Sequence, residues 1–299
     1  METKNYSKKI RLIFFVKSLL ILLIILTTGY KAYCQKPDSS DSILKGGSYI
    51  NSFSTSRVGV AQSVLTTPKG EFHVVIQHRF GDLNGGFYEF FGLDAALTRF
   101  GFDYGITDWL SAGIGRSMLY KTYDLELKAS ILKQNENNIP VSLSYYIAML
   151  DNTLRDYFPA GHSSFASRLS FANQLILARN QGILTCQVSP LWLHTDYEVR
   201  TGSSLDVFAL DLDGRIRLGE KFALIGEYIP VLTNNSLSAS NPLTIGLEIN
   251  TGGHQFQLIF SNSQGTNENA ILTSTEGSWS KGHVYFGFNL TRIFNKKTD

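Results

Sequence analysis

The sequence predicts an all-β fold, an antiparallel up-and-down transmembrane β-barrel of about 12 strands. Three observations predict it. From residue 70 to residue 294, runs of roughly ten residues alternate apolar with polar or small side chains. Tight connections between the runs alternate with generally longer ones. Charges of both signs lie opposite the hydrocarbon, so the polarity is that of a barrel with lipid outside and water or ion pairs inside.

The N-terminus reads as a leader. Lys4, Lys8, Lys9, Arg11 and Lys17 precede the apolar run "SLLILLIIL", and Ala32 and Cys34 supply small residues for cleavage after Cys34. This order is that of a secretory signal peptide over 1–34. An uncleaved anchor helix is the rival, but Lys17 interrupts it, and Tyr33 is too bulky for acylation of Cys34. The chain has 27 basic and 25 acidic residues; residues 1–34 hold six of the former and one of the latter, so 21 and 24 remain, a net charge of −3. No basic patch argues for nucleic acid. Cys186 is the one cysteine left, so no intrachain disulfide holds an exported chain.

Residues 35–69 are polar and Ser-rich, and they read equally as a periplasmic tail or as a segment entering the lumen, where Arg57 would answer an excess of acid. The barrel follows over 70–294, and 295–299 form a C-terminal tail. The expected strands are 72–80, 95–104, 110–118, 123–132, 141–149, 165–178, 183–194, 204–218, 222–231, 243–250, 254–261 and 283–294. Gly, Asn, Asp and Pro gather between them, as turns require. The tight links are "GITD", "KQNENNIP", "RNQG", "GEK" and "TGGH". They alternate with 81–94, 117–122, 150–164, 195–203, 232–242 and 262–282. Short periplasmic turns and long outer loops give such a sorting; a soluble sandwich has no reason for it.

In "FALDLDGRIRL", Phe208, Leu210, Leu212, Ile216 and Leu218 share one face, and Asp211, Asp213, Arg215 and Arg217 share the other. The same division in the other strands assigns Arg79, Arg99, Asp103, Asp124, Glu126, Lys128, Arg168, Glu227 and Glu248 to the lumen. Near balance of sign argues against a strongly selective anion pore. It favours a paired network that fills the lumen, with a solute pathway lined by the same residues as the second reading. Trp109, Tyr104 and Phe222 at the short-turn end, and Tyr228 and Trp192 at the other, read as aromatic girdles. Asn173 on an outer face has no explanation in the sequence, and Pro190 marks an expected bulge.

The stretches "HRFG", "GGFYEFFGLD", "FDYGITDWLSAGIGRS", "KTYD", "QLILAR", "ALIGEY" and "NPLTIGLEINTGGHQFQLIFSNSQG" resemble a family of Gram-negative outer-membrane β-barrel proteins defined as a domain of unknown function. The similarity runs from 55 to 294. It implies a barrel in the outer membrane and no particular activity. The last strand, "HVYFGFNLTRIF", looks like the C-terminal signal read by the barrel assembly machinery, although it ends five residues before the terminus.

Enzymatic motifs are weak. His254 and Ser261 share a strand, but seven residues at roughly 3.3 Å each put them about 23 Å apart. A loop set of Asp151, Asp156 and His162 is the remaining hydrolase candidate. "DLDG" at 211–214 resembles the opening of a calcium loop, but Arg215 stands where an oxygen ligand is needed. No CxxC, HExxH or nucleotide-binding glycine motif occurs, so no cofactor or metal is expected. The expectation is an outer-membrane barrel of structural or passive small-solute type, with the surrounding lipid as partner; the alternative is a surface enzyme on lipid or peptide.

Overall fold

The computed structural model describes residues 52–135, 139–233 and 240–294. The expected leader and the C-terminal tail lie outside the described residues. A two-residue hairpin, β1 (Arg57–Val58) and β2 (Ala61–Gln62), comes first. Twelve strands then close into a barrel. They are β3 (Phe72–Asp82), β4 (Ala96–Gly105), β5 (Leu110–Ser117), β6 (Thr122–Leu132), β7 (Ser142–Asn152) and β8 (Leu169–Gln181), then β9 (Leu184–Glu198), β10 (Ser203–Arg217), β11 (Phe222–Tyr228), β12 (Leu243–Asn250), β13 (His254–Ser261) and β14 (Tyr285–Phe294). Each pairs antiparallel with its sequence neighbours, and β14 closes on β3 with Leu290 opposite Ile76. One helix, α1 (Glu268–Thr273), lies in the link between β13 and β14, capped by the Asn267 side chain on the Ala270 amide.

Strands form here because the period of two places one complete apolar row on lipid. Phe100, Ile114, Leu125, Leu175, Phe208 and Ile245 are exposed on the outside, each flanked in sequence by inward residues that are mostly buried. Outer-face polar groups are matched. Asn173 accepts a hydrogen bond from the Tyr145 hydroxyl at 2.7 Å, which accounts for an amide on the lipid side. Arg116 lies over the Tyr123 ring and Arg292 over Phe294.

Two local expectations are corrected. Pro190 marks no bulge: β8 and β9 keep one register across it, from Gln174 opposite Leu191 to Leu177 opposite Val188, and the ring faces outward. Links 118–121 and 199–202 are as short as turns, the second because β9 and β10 extend to 15 residues each; the remaining links at that end are longer, led by 262–284.

The interior also differs from a wall of charge on nearly every strand. Tyr146, Ala148 and Leu150 of β7, Ala172 and Ile176 of β8, and Leu191 and Leu193 of β9 face inward and are buried. They belong to a core with Phe53, Val58, Val60, Ala61 and Val64 of the N-terminal segment and Ile271 and Leu272 of α1. Full burial of a Val or Leu is worth roughly 1.5–3 kcal/mol. The apolar wall is therefore explained by what packs against it.

A charge on the outer row should be costly. Leu127→Arg, halfway along β6, is expected to lose about 2–4 kcal/mol in urea unfolding from lipid vesicles, and Leu127→Val well under that. Equal stability of the two variants would refute the outward assignment of this row.

Candidate functional site

Residues 52–67 run inside the barrel and hydrogen-bond to inward side chains all around it. The β1–β2 hairpin turns at Gly59, where φ is +58° and an added Cβ would sit 2.7 Å from Glu227 Oε2. Only glycine suits that backbone and that space. The Gly59 carbonyl accepts from Arg79 of β3 at 3.3 Å and from Asn289 of β14 at 2.6 Å. Glu227 of β11 accepts from the amides of Val60 (2.9 Å) and Ala61 (3.4 Å). Gln187 of β9 donates to the Gln62 carbonyl at 2.8 Å and accepts from the Val64 amide at 2.9 Å. Lys128 of β6 donates to the carbonyls of Ser56, Ser63 and Leu65 at 2.9, 2.9 and 3.2 Å. A buried segment must satisfy its backbone groups, and here the inward side chains of the barrel do much of it.

The lumen divides electrostatically. Toward β4–β6, acid and base are matched. Arg99 donates to both oxygens of Asp124 and to Glu126 at 2.8 Å, and Arg57 donates to both oxygens of Glu126 at 2.7 Å. Ser56 donates to Asp103 at 3.0 Å. Room for these side chains comes from β5, whose inward row is Ser111, Gly113, Gly115 and Ser117. A Cβ at Gly115 would stand 2.3 Å from Arg99 Nη2 and 2.4 Å from Asp124 Oδ2. A small polar pocket lined by Ser56, Gln62, Asp103, Glu126 and Lys128 remains between this cluster and the hairpin.

Toward β10–β11, acid is in excess. Asp211 accepts from Gln174 at 3.0 Å, Asp213 from Gln187 at 2.5 Å, and Glu268 of α1 from Gln62 at 3.2 Å. These three carboxyls and that of Glu227 are buried, and one oxygen of each has no hydrogen-bond partner among the described residues. Farther along the wall, Glu248 is paired with Arg215 at 2.8 Å.

One expected lumen residue sits elsewhere, and a second lies at the very end of its strand. Arg168 lies in a short turn before β8, half-buried at the outer rim, where it pairs with Asp151 at 3.1 Å; the strand starts at Leu169, so the alternation does not reach it. Arg217 ends β10, half-buried at the short-turn end. The hydrolase candidates stay apart in function. Asp151 is engaged by Arg168, His162 stacks on Tyr197 at 4.0 Å, and Asp156 is exposed. His254 contacts Arg292, and Ser261 accepts from Thr244.

Sequence reasoning missed one constellation. On the outer face, Asp206 accepts from Trp192 Nε1 and His194 Nδ1, each at 2.9 Å. The signal was cross-strand and needed the register that sets His194 opposite Asp206. The other imidazole nitrogen lies 3.6 Å from Asp196, a carboxylate where a hydrolase places a hydroxyl.

The family described as a membrane bound beta barrel domain (DUF5777) matches residues 53–294. The fold is similar to the NanC porin (10% identity, 75% of this chain and 99% of that one, TM-score 0.47) and the KdgM porin (10%, 75% and 99%, 0.43). It is also similar to the outer membrane phospholipase A from Escherichia coli (13%, 77% and 94%, 0.40). No curated protein matches the chain.

Matched and unmatched charges should respond differently. Arg99→Ala strands two buried carboxylates and should cost about 3–5 kcal/mol. Asp213→Asn keeps shape and removes a charge without a cation bonded to it, so the thermal midpoint should hold or rise. A large drop for Asp213→Asn would contradict the acid excess.

Proposed function

The chain belongs to this family of membrane-bound β-barrels, and from that premise we propose that it is an outer-membrane barrel held closed at rest by its own N-terminal hairpin and last outer link. The carrying observation is the set of bonds from Lys128, Arg79, Asn289, Gln187 and Glu227 to the backbone of 56–65. A solute crossing the lumen must displace a segment bonded to β3, β6, β9, β11 and β14. The function is then structural in the closed form, and passage of small solutes follows only from release of the plug.

The outer membrane is favoured by the apolar outer row, the aromatic residues near both ends and the sorting of link lengths. Lipid is the first partner, and the alternating β14 suits recognition by the assembly machinery. The reading as a surface hydrolase draws no support from His194, whose free nitrogen meets Asp196.

In planar bilayers the wild type should carry little steady current. A variant lacking 53–67, or Lys128→Met combined with Arg79→Met, should conduct. A large steady current from the wild type would overturn the closed reading.

Orientation is tested separately in a Cys186→Ser background. Thr201→Cys in an outer link should react with an impermeant maleimide on intact cells. Glu220→Cys in a short turn should react only after permeabilisation. Equal labelling would reverse or void the topology.

A further inference from the structure

Links 118–121, 153–168 and 262–284 converge with the end of β9 over one side of the barrel mouth. Between them lies a narrow cleft, partly open to solvent, with room at its base for a group the size of a hydroxyl. Its wall is aromatic: Tyr120 and Tyr157 have ring centroids 5.1 Å apart, and Phe158 and Tyr197 6.4 Å apart. Its floor is α1, which carries a buried donor. Asn267 Oδ1 caps the helix by accepting from Ala270 N at 3.0 Å, while its Nδ2 has no hydrogen-bond partner among the described residues. A buried amide donor left open is unfavourable, so this one calls for a ligand oxygen.

The charges of the cleft are already paired. Arg168 holds Asp151, and Arg200 holds Glu198 at 2.8 Å. Burial, with Glu198 nearby, pushes the Tyr157 hydroxyl up to about 12, so it remains a neutral phenol. An anion finds no open cation, and an acyl chain finds a floor of amides and hydroxyls. What fits flat aromatic faces above neutral donors is a ring with an apolar C–H face and a hydroxyl edge.

We propose that this cleft binds a neutral saccharide, its C–H face against Tyr157 and Phe158 and a hydroxyl accepting from Asn267 Nδ2. The site goes beyond the closed-barrel reading and does not depend on conduction.

The test uses the full barrel in a polyoxyethylene detergent, which avoids sugar headgroups. Maltotriose, cellotriose and triacetylchitotriose are each offered at up to about 10 mM, a range that detects weak sites. Saturation-transfer NMR should show transfer to ring C–H protons of at least one. Titration calorimetry should then show Tyr157→Ala weakening binding about tenfold, or ~1.4 kcal/mol. Asn267→Ser keeps a capping oxygen and loses the amide donor. It should weaken binding several-fold while the thermal midpoint stays near wild type. Absence of transfer from all three sugars overturns the proposal, and so does binding that neither substitution weakens.

Discussion

A barrel of eight strands is just wide enough for inward side chains to fill it; twelve strands leave an axis they cannot reach. The rest of the structure depends on how that space is occupied. Inward polar groups would otherwise face water or one another across a gap. Here the chain supplies the filling, with 52–67 along the lumen and α1 with its flanking link at the outer end. The inward rows are graded to match. β5 offers glycine and serine beneath the guanidinium of Arg99, β7–β9 offer hydrocarbon to Val58, Val64 and Ile271, and β9–β11 offer Gln187, Asp213 and Glu227 to the hairpin.

The division of charge within the lumen has a structural logic. Where Arg57, Arg99 and Lys128 enter, they meet Asp124, Glu126 and backbone carbonyls at hydrogen-bond distance, so each of these buried cations has a carboxylate or carbonyl partner. On the opposite wall the plug presents amides, and carboxylates are the natural acceptors for them. The Val60 and Ala61 amides take Glu227, and the Gln62 side chain takes Glu268. The excess of acid is thus the other side of having a backbone segment, rather than basic side chains, as the partner.

What was legible in the sequence was whatever repeats with period two. The twelve strands, their order and the lipid-facing row follow from alternation, because one face meets hydrocarbon throughout. Arg168 was misplaced since the apolar pattern runs through Phe165 while the backbone is still turning, and alternation carries no mark of where a strand begins. The apolar interior of β7–β9 was illegible for a different reason. Tyr146, Ile176 and Leu193 alternate with outer apolar residues, so those strands read as uniformly apolar until the hairpin is seen against them. The hairpin itself has two-residue strands, and α1 is six residues long; neither is long enough to show a period. The cleft at the mouth gathers residues from three links and from the ends of β6–β9, and no local spacing announces it.

The grip on Gly59 has a consequence for how the molecule comes together. Its carbonyl is held by Arg79 from the first barrel strand and Asn289 from the last, the two strands that meet at the closing seam. Arg79 also donates to Asn289 at 2.9 Å, and Gly287, opposite Arg79, leaves the guanidinium room to lie across the join. Nine residues join the hairpin to the first strand, so it is tethered to one edge of the gap through which it would otherwise have to pass. Sealing the cylinder and seating its contents therefore share the same atoms. A biogenesis pathway that zips β14 onto β3 with the hairpin left outside forfeits part of the latch, which gives the membrane-inserted sheet a reason to stay open until its filling has arrived.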